Sequence, residues 1–374
     1  MIYFDNAATT FPKPTAVRDA VLDCIENWCG NPGRGAHTLS LKAADRVYTC
    51  REKLALFVGL SDPTRIVFTG GATAALNIAI KGTLRAGDHV LCSELEHNAV
   101  WRPLQALRRE GRITVDTFPV VGLSKEKILQ EVAKRVKKST RAIVCTQMSN
   151  ICSVTLPIAE IGAFCRAKGL FFIVDAAQSA GHLPIDMEAM CIDALALPAH
   201  KGLYGIPGCG ALALGKRLLP KPLLEGGSGV NSRAAQMPDE LPERLEAGTL
   251  PLPAIAGLLG GLSFLESIDP CALQSHENGL FLAARERIEG LPQYEVIARD
   301  AVGPVLLFRH TRASAVAVAR KLSENGIAVR AGLHCAPLAH QALRTGTEGG
   351  VRLSFSYRNS ETELDTLLRI LHEI

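Results

Sequence analysis

The chain has 374 residues, more than one hydrophobic core usually organises, and its 47% hydrophobic and 21% charged content is that of a globular protein with two domains. A formal charge of +4, with no Lys/Arg block and no basic stripe interleaved with aromatics, argues against a nucleic-acid partner and for a small-molecule ligand. The first residues carry no basic segment followed by an apolar one, and no stretch reaches the roughly 18 uninterrupted apolar residues of a membrane span, so a cytoplasmic location with no membrane role is expected.

In chain order, Asn31-Pro32-Gly33-Arg34-Gly35-Ala36-His37 reads as a loop, and residues 39–57 have helical apolar spacing. Residues 65–69 are strand-like and break at Gly70-Gly71, and a helical pattern follows at once over 72–80. Apolar runs then recur at 89–92, 114–118, 142–146, 170–174 and 194–197, separated by helical stretches such as 125–137 and 158–168. Strand alternating with helix predicts an α/β fold with a mostly parallel sheet covered on both faces. From about Pro251 the texture changes: helices over 254–268 and 279–291, a strand over 305–309, a helix over 313–325, a strand over 351–356 and a terminal helix over 361–374. These make a smaller α+β unit, and no internal repeat appears.

Eleven cysteines are scattered without a C-x-x-C pair or finger-like spacing, so no metal is expected and most should be buried, reduced thiols. Cys335 stands apart, in Arg330-Ala331-Gly332-Leu333-His334-Cys335-Ala336-Pro337, because a neighbouring imidazole or guanidinium lowers a thiol's pKa and makes it nucleophilic.

Lys201 follows the 194–197 run in Ala199-His200-Lys201-Gly202, and Asp175 closes the 170–174 run. Ligands of open α/β sheets bind beyond such strand ends. A lysine able to form an imine and a carboxylate able to pair with a pyridinium nitrogen together point to pyridoxal phosphate, although Asp175 alone reads equally as a helix cap. Gln178 is one helical turn on, suited to donate to the cofactor's phenolic oxygen. Thr69-Gly70-Gly71-Ala72-Thr73 would place free backbone N–H groups at a helix start, where a phosphate is welcome; a plain tight turn has the same sequence. His97 can stack on a planar ring and exchange protons near neutral pH, or be a surface histidine. Arg352, opening an apolar strand, requires a carboxylate partner, which an amino-acid substrate provides.

Together these residues resemble the class V aminotransferase superfamily, and within it the cysteine desulfurase and selenocysteine lyase branch. The resemblance runs from Tyr3-Phe4-Asp5-Asn6-Ala7-Ala8-Thr9-Thr10 through Arg34-Gly35-Ala36-His37, Gly71-Ala72-Thr73, Glu96-His97, Ser149-Asn150, Asp175 to Gln178, His200-Lys201 and Glu246-Ala247-Gly248-Thr249 to the Cys335 loop. It implies fold type I: a large domain with a seven-stranded-type, mostly parallel sheet (15–250), a small α+β domain from both termini (1–14 and 251–374), and a homodimer. It further implies Lys201 as the imine lysine, Asp175 as pyridinium partner, Gln178 as phenolate contact and His97 as stacking acid/base. Ala72, Thr73 and His200 would hold phosphate, with Thr249 reaching the other subunit's phosphate. Asn150 and Arg352 would hold the substrate carboxylate. The implied reaction converts L-cysteine to L-alanine, with sulfur taken by Cys335 as a persulfide and passed to an acceptor protein or a reductant. Selenocysteine lyase, or transamination or decarboxylation by the same cofactor, are the alternatives. Two departures stand out. Relatives with the Arg-x-Gly-His-His-Cys-Ala motif have a histidine where this chain has Leu333, and many have a phosphate-binding serine where this chain has Pro198.

Overall fold

The computed structural model describes residues 1–33 and 35–374; Arg34 lies outside the described residues. Among the described residues, thirteen strands and eleven α-helices follow one another: β1 (Ile2–Tyr3), α1 (Thr15–Asp23), α2 (Thr38–Phe57), β2 (Ile66–Thr69), α3 (Ala72–Thr83), β3 (Asp88–Ser93), α4 (Asn98–Arg109), β4 (Ile113–Phe118), α5 (Lys125–Arg135), β5 (Thr140–Thr146), α6 (Ile158–Lys168), β6 (Phe171–Asp175), β7 (Ala194–Pro198) and β8 (Gly210–Leu214). After these come α7 (Leu252–Glu266), α8 (Pro270–Glu289), β9 (Tyr294–Ile297), β10 (Val305–His310), α9 (Ala315–Glu324), β11 (Ile327–Ala328), β12 (Arg330–Gly332), α10 (Pro337–Ala342), β13 (Gly350–Ser354) and α11 (Glu361–His372).

The main sheet has seven strands in the order β2-β8-β7-β6-β5-β3-β4, with only β8 reversed. Its strands are largely apolar because both faces are covered. Along β5, Ala142 and Val144 pack with Val100, Leu104 and Leu107 of α4, whereas Ile143 and Cys145 pack with Leu54 of α2 and Ile161 of α6. Each fully buried Leu or Ile on these faces contributes roughly 1.5–3 kcal/mol. Every parallel strand ends at the same edge, so the residues just after β2, β3, β5, β6 and β7 meet there.

A second, antiparallel sheet has the order β12-β13-β10-β9, and β1 pairs in parallel with β11. The first residues of the chain are thereby tied to its last third. No single helix among the described residues is long and apolar enough to cross a membrane.

The sequence pattern passes over several elements. Strand β8, Gly-Ala-Leu-Ala-Leu, lacks β-branched residues, and its reversed place between β7 and β2 is set by tertiary pairing. Helix α8 starts at Pro270, well before the expected 279, because Asp269 caps it by accepting from the Cys271 N–H and Pro270 takes the first position. Helix α11 opens with a reciprocal Ser360/Glu363 capping box, close to where the pattern places it.

Candidate active site

A cavity of about 190 Å³ opens at the C-terminal edge of the main sheet. Of the sequence-predicted site residues, Ala72, Thr73, His97, Asn150, Asp175, Gln178, His200 and Lys201 all line it, together with Gly71 and Pro198. Arg352 stands behind Asn150 and donates from Nη1 to its backbone carbonyl at 2.9 Å.

Asp175 is the last residue of β6 and is 3% exposed. Burial raises its pKa, countered by the Ala177 N–H donated to Oδ1 at 2.9 Å and by the charge of Lys201. Lys201, half-buried across the cavity, is pushed down to about 8, chiefly by desolvation, with Asp175 opposing and Arg352 and Arg330 adding to the shift. The amine is therefore far easier to free near neutral pH than an ordinary lysine. Gln178 donates one amide hydrogen to the Ala7 carbonyl at 2.9 Å, and its second remains available.

His97 caps α4: its Nδ1 accepts the Ala99 N–H at 3.0 Å, so the neutral ring carries its proton on Nε2. Desolvation first, then Lys201, Arg352 and Arg102, lower its pKa to about 4. His200 is likewise lowered to about 4 by burial and by Lys201 and Lys13, and its Nδ1 is buried without a partner.

Helix α3 begins after Gly71, whose φ of 140° suits only glycine, and no side chain caps its first N–H groups. The space beside Gly70 and Gly71 is open. An uncapped helix start, an orphaned His200 nitrogen, a buried carboxylate and a desolvated lysine form a donor set that fits pyridoxal phosphate. Pro198 lines the same cavity and supplies no hydroxyl there.

Arg352 is 3% exposed, and its expected carboxylate partner is already within the chain: Asp5 Oδ1 lies 2.8 Å from Nη2. Asp5 also accepts from Arg330 at 3.0 Å, so one carboxylate orders two guanidiniums. Only the Arg352 Nε is left unpaired. Asn150 donates from Nδ2 to the His334 carbonyl at 2.9 Å, which fastens the substrate side of the cavity to the cysteine loop.

Cys335 is exposed and lies at a second cavity of about 410 Å³ that shares Thr73, His97 and Ala99 with the first. His334 and Cys335 have φ of 50° and 55°, two consecutive left-handed residues without glycine, held by the Cys335 carbonyl accepting the Asn98 N–H at 2.7 Å. The sequence expectation that His334 tunes this thiol is corrected by the structure. His334 Nε2 faces the Arg330 carbonyl at 3.2 Å and Nδ1 faces His340 Nε2 at 3.2 Å, and burial lowers its pKa to about 3. The ring is neutral, with both nitrogens engaged away from sulfur. Cys335 is also not the only presented thiol: Cys29 and Cys271 are exposed, and seven of the others are buried.

Thr249 is exposed and lines a different cavity, of about 670 Å³, with Arg51, Gly227 and Gly229, so this chain does not bring it to Lys201.

Four residues have parts that the sequence reading did not assign. Asp5 holds Arg352, and Lys13 contacts the His200 carbonyl at 2.9 Å with its pKa lowered to about 8 by desolvation. Glu96, fully buried, accepts from the Ser93 hydroxyl and from the Thr146 N–H at 3.0 Å and is raised to about 8 by burial, so it carries its proton at neutral pH. His340 backs His334. Asp5, Lys13 and His340 reach the site only through packing of the two ends of the chain, which leaves no local spacing to find.

The class-V aminotransferase family model matches residues 2–367. A probable cysteine desulfurase of Methanothermobacter thermautotrophicus is 32% identical, over all of this chain and 94% of the relative. The cysteine desulfurase of Dickeya dadantii is also 32% identical, over all of this chain and 92% of the relative. Among solved structures, the apo cysteine desulfurase of Thermococcus onnurineus NA1 superposes with a TM-score of 0.90 at 28% identity, covering all of this chain and 94% of that one. A cysteine desulfurase from Escherichia coli gives 0.88 at 28% identity, over 99% of this chain and 94% of that one. The chain belongs to the class-V aminotransferase family, which is pyridoxal-phosphate-dependent.

Proposed function

We propose that this protein is a cysteine desulfurase that converts L-cysteine to L-alanine and hands the sulfur, as a persulfide of Cys335, to an acceptor. The observation that carries this reading is the shared wall of the two cavities: His97 and Thr73 border both the Lys201–Asp175 pocket and the exposed Cys335 thiol.

Pyridoxal phosphate, when bound, serves as the electron sink for charge developing at the substrate Cα. Its phosphate would rest on the uncapped start of α3, at Ala72 and Thr73, and on His200, while Asp175 would pair with the ring nitrogen and Gln178 with the phenolic oxygen. Lys201, whose proton desolvation makes easier to lose, would hold the cofactor in the resting protein and, once free of it, would take the Cα proton. His97, neutral and with its proton on Nε2, would lie against the ring and supply or receive a proton there. Arg352 Nε and Asn150 hold the substrate carboxylate.

Cys335 as thiolate attacks the substrate sulfur. An S–S bond forms, the substrate C–S bond breaks with its electron pair left on carbon, and protonation of that carbon gives alanine. One cysteine and one enzyme thiol become one alanine and one enzyme persulfide. The persulfide then loses its outer sulfur to an acceptor thiol.

The reading includes a homodimer, supported by Thr249 standing exposed beside a cavity that lacks the Lys201 group. It includes a cytoplasmic location, supported by eleven cysteines that are all unpaired. We place residues 15–250 in the cofactor-bearing domain and residues 1–14 with 251–374 in the small one. Helix α7 opens the C-terminal part and packs on α1 and α2, so the two parts would meet along it.

The test is to incubate the purified protein with cysteine and a thiol reductant. Alanine and sulfide in equal amounts are expected, with loss of both in Cys335→Ala; a keto acid or an amine in their place overturns the reading.

A further inference from the structure

The cavity at Cys335 continues away from the thiol as a groove between α3 and α4. One wall is the stripe Thr73, Asn77 and Lys81, spaced four residues apart on α3; the other is Asn98, Arg102 and Arg109 on α4. No carboxylate lines it. Lys81, Arg102 and Arg109 form no ion pair among the described residues. At its far end Lys81 also borders a further cavity of about 530 Å³, whose charged lining is again wholly cationic and includes Arg85, Arg141 and Lys221. Arg141 has its Nε buried and unpartnered there. Both helices have twelve residues, so the tract runs about 18 Å from the thiol to the opposite edge of the sheet.

Unpaired cations facing one another across a groove repel, which raises the energy of the free protein and is relieved by an anionic occupant. The span exceeds a small anion and suits an extended acidic chain. The aromatic ring at the far cavity is poorly placed to stack on a nucleic-acid base: Phe171 is already covered by the Arg141 and Arg217 guanidiniums, at 4.6 and 5.7 Å from its centroid.

We infer that the α3/α4 groove is the docking surface for an acidic segment of a sulfur-accepting protein, which runs along Lys81, Arg102 and Arg109 and sets its own thiol on Cys335. The inference rests on the desulfurase reading for its biological sense, but its test does not depend on cysteine turnover. Transfer is balanced: the acceptor thiolate attacks the outer sulfur of the Cys335 persulfide, a new S–S bond forms on the acceptor, and Cys335 leaves as thiolate.

The experiment uses the holoprotein with Cys29→Ser and Cys271→Ser, so that Cys335 is the exposed thiol, and the same protein with Cys335→Ser as blank. The probes are three peptides that begin with cysteine and glycine and continue with a run of five glutamates, five glutamines or five lysines, each as the mixed disulfide with thionitrobenzoate. Attack of Cys335 on the peptide sulfur releases the coloured thiolate. The glutamate peptide should react about tenfold faster than the glutamine peptide at low salt and the lysine peptide slower still, with the differences shrinking at high salt. Lys81→Gln with Arg109→Gln should cut the advantage of glutamate over glutamine to about threefold or less without changing the rate of the glutamine peptide. Equal rates for the three peptides, or a preference that survives the double substitution, overturn the inference. It is also overturned if an RNA oligonucleotide protects Cys335 while the glutamate peptide shows no advantage. Failure of the desulfurase reading shows separately, as absence of alanine from cysteine.

Discussion

His340 donates its Nε2 hydrogen to Nδ1 of His334 across 3.2 Å, and the direction of that bond is dictated by a carbonyl. The Arg330 carbonyl can only accept, so His334 Nε2 is the donor there and its Nδ1 must accept. His340 Nδ1 in turn accepts from the Thr345 hydroxyl at 2.6 Å. A one-way chain of hydrogen bonds, Thr345 to His340 to His334 to Arg330, therefore braces the left-handed turn that presents Cys335.

His340→Leu breaks that chain and is expected to lower kcat for sulfur transfer about tenfold with little change in KM. His340→Gln, whose amide can donate and accept at the same places, should restore most of it. Nitrogen-15 spectra of the histidines should show His334 neutral and protonated on Nε2 at pH 7. A His334 protonated on Nδ1, or equal kinetics in the Leu and Gln variants, contradicts the bracing role.

Four desolvated histidines should make mild acid destabilising. His97, His200 and His340 are lowered to about 4 and His334 to about 3, all chiefly by desolvation. At these four sites, between those values and the ordinary histidine value of about 6.5, the unfolded chain binds more protons than the folded one, so their contribution to stability falls as pH falls through that window. Glu96, raised to about 8, works in the opposite sense but is one group against four. The urea midpoint of the cofactor-free protein should drop steadily from pH 7 to pH 4.5, and less steeply in His340→Gln. A midpoint that stays level from pH 7 to pH 5 rules this out.

Asp5→Asn leaves two guanidiniums without their shared carboxylate. Removing one partner of a buried pair costs about 3–5 kcal/mol, and exposure of Arg330 places the expectation at the lower end. Urea unfolding should show that loss, and KM for cysteine should rise because Arg352 is no longer oriented. An Asp5→Asn protein as stable as the parent removes the pair from the account of the site.

Gly71 and Gly70 separate backbone strain from crowding. Neither added Cβ meets another atom, but only Gly71 has a φ that other residues avoid. Gly71→Ala should weaken retention of pyridoxal phosphate about tenfold, and Gly70→Ala should leave it nearly unchanged, read by the cofactor's visible absorbance after dialysis. Equal losses in the two variants would mean that shape, not backbone conformation, governs the cradle.

Much of this site was legible because its chemistry sits at strand ends. Asp175, Lys201 and Gly71 each lie at the close of an apolar run, and the parallel sheet brings such ends together. Strand β8 was missed because Gly and Ala carry no strand pattern, although it holds β2, and hence the start of α3, in place. The part of Arg352 was half legible: burial demands a carboxylate, but no spacing says that the carboxylate is Asp5. The same holds for His334, whose neighbour in sequence is Cys335 while its hydrogen-bonding partners are Arg330 and His340. Adjacency along the chain is not contact between side chains where two left-handed residues turn the backbone.

The Asp5–Arg352 pair spans 347 positions of sequence. During synthesis the ring nitrogen's carboxylate at Asp175 and the amine at Lys201 exist long before Arg352 leaves the ribosome. Until then Asp5 has neither of its cations, because Arg330 is also late. A chain stalled before residue 330 would carry Asp175 and Lys201 but neither guanidinium that Asp5 orders. Placing that clamp between Asp5 and Arg352 makes substrate binding depend on contact between parts of the chain that are made far apart in time.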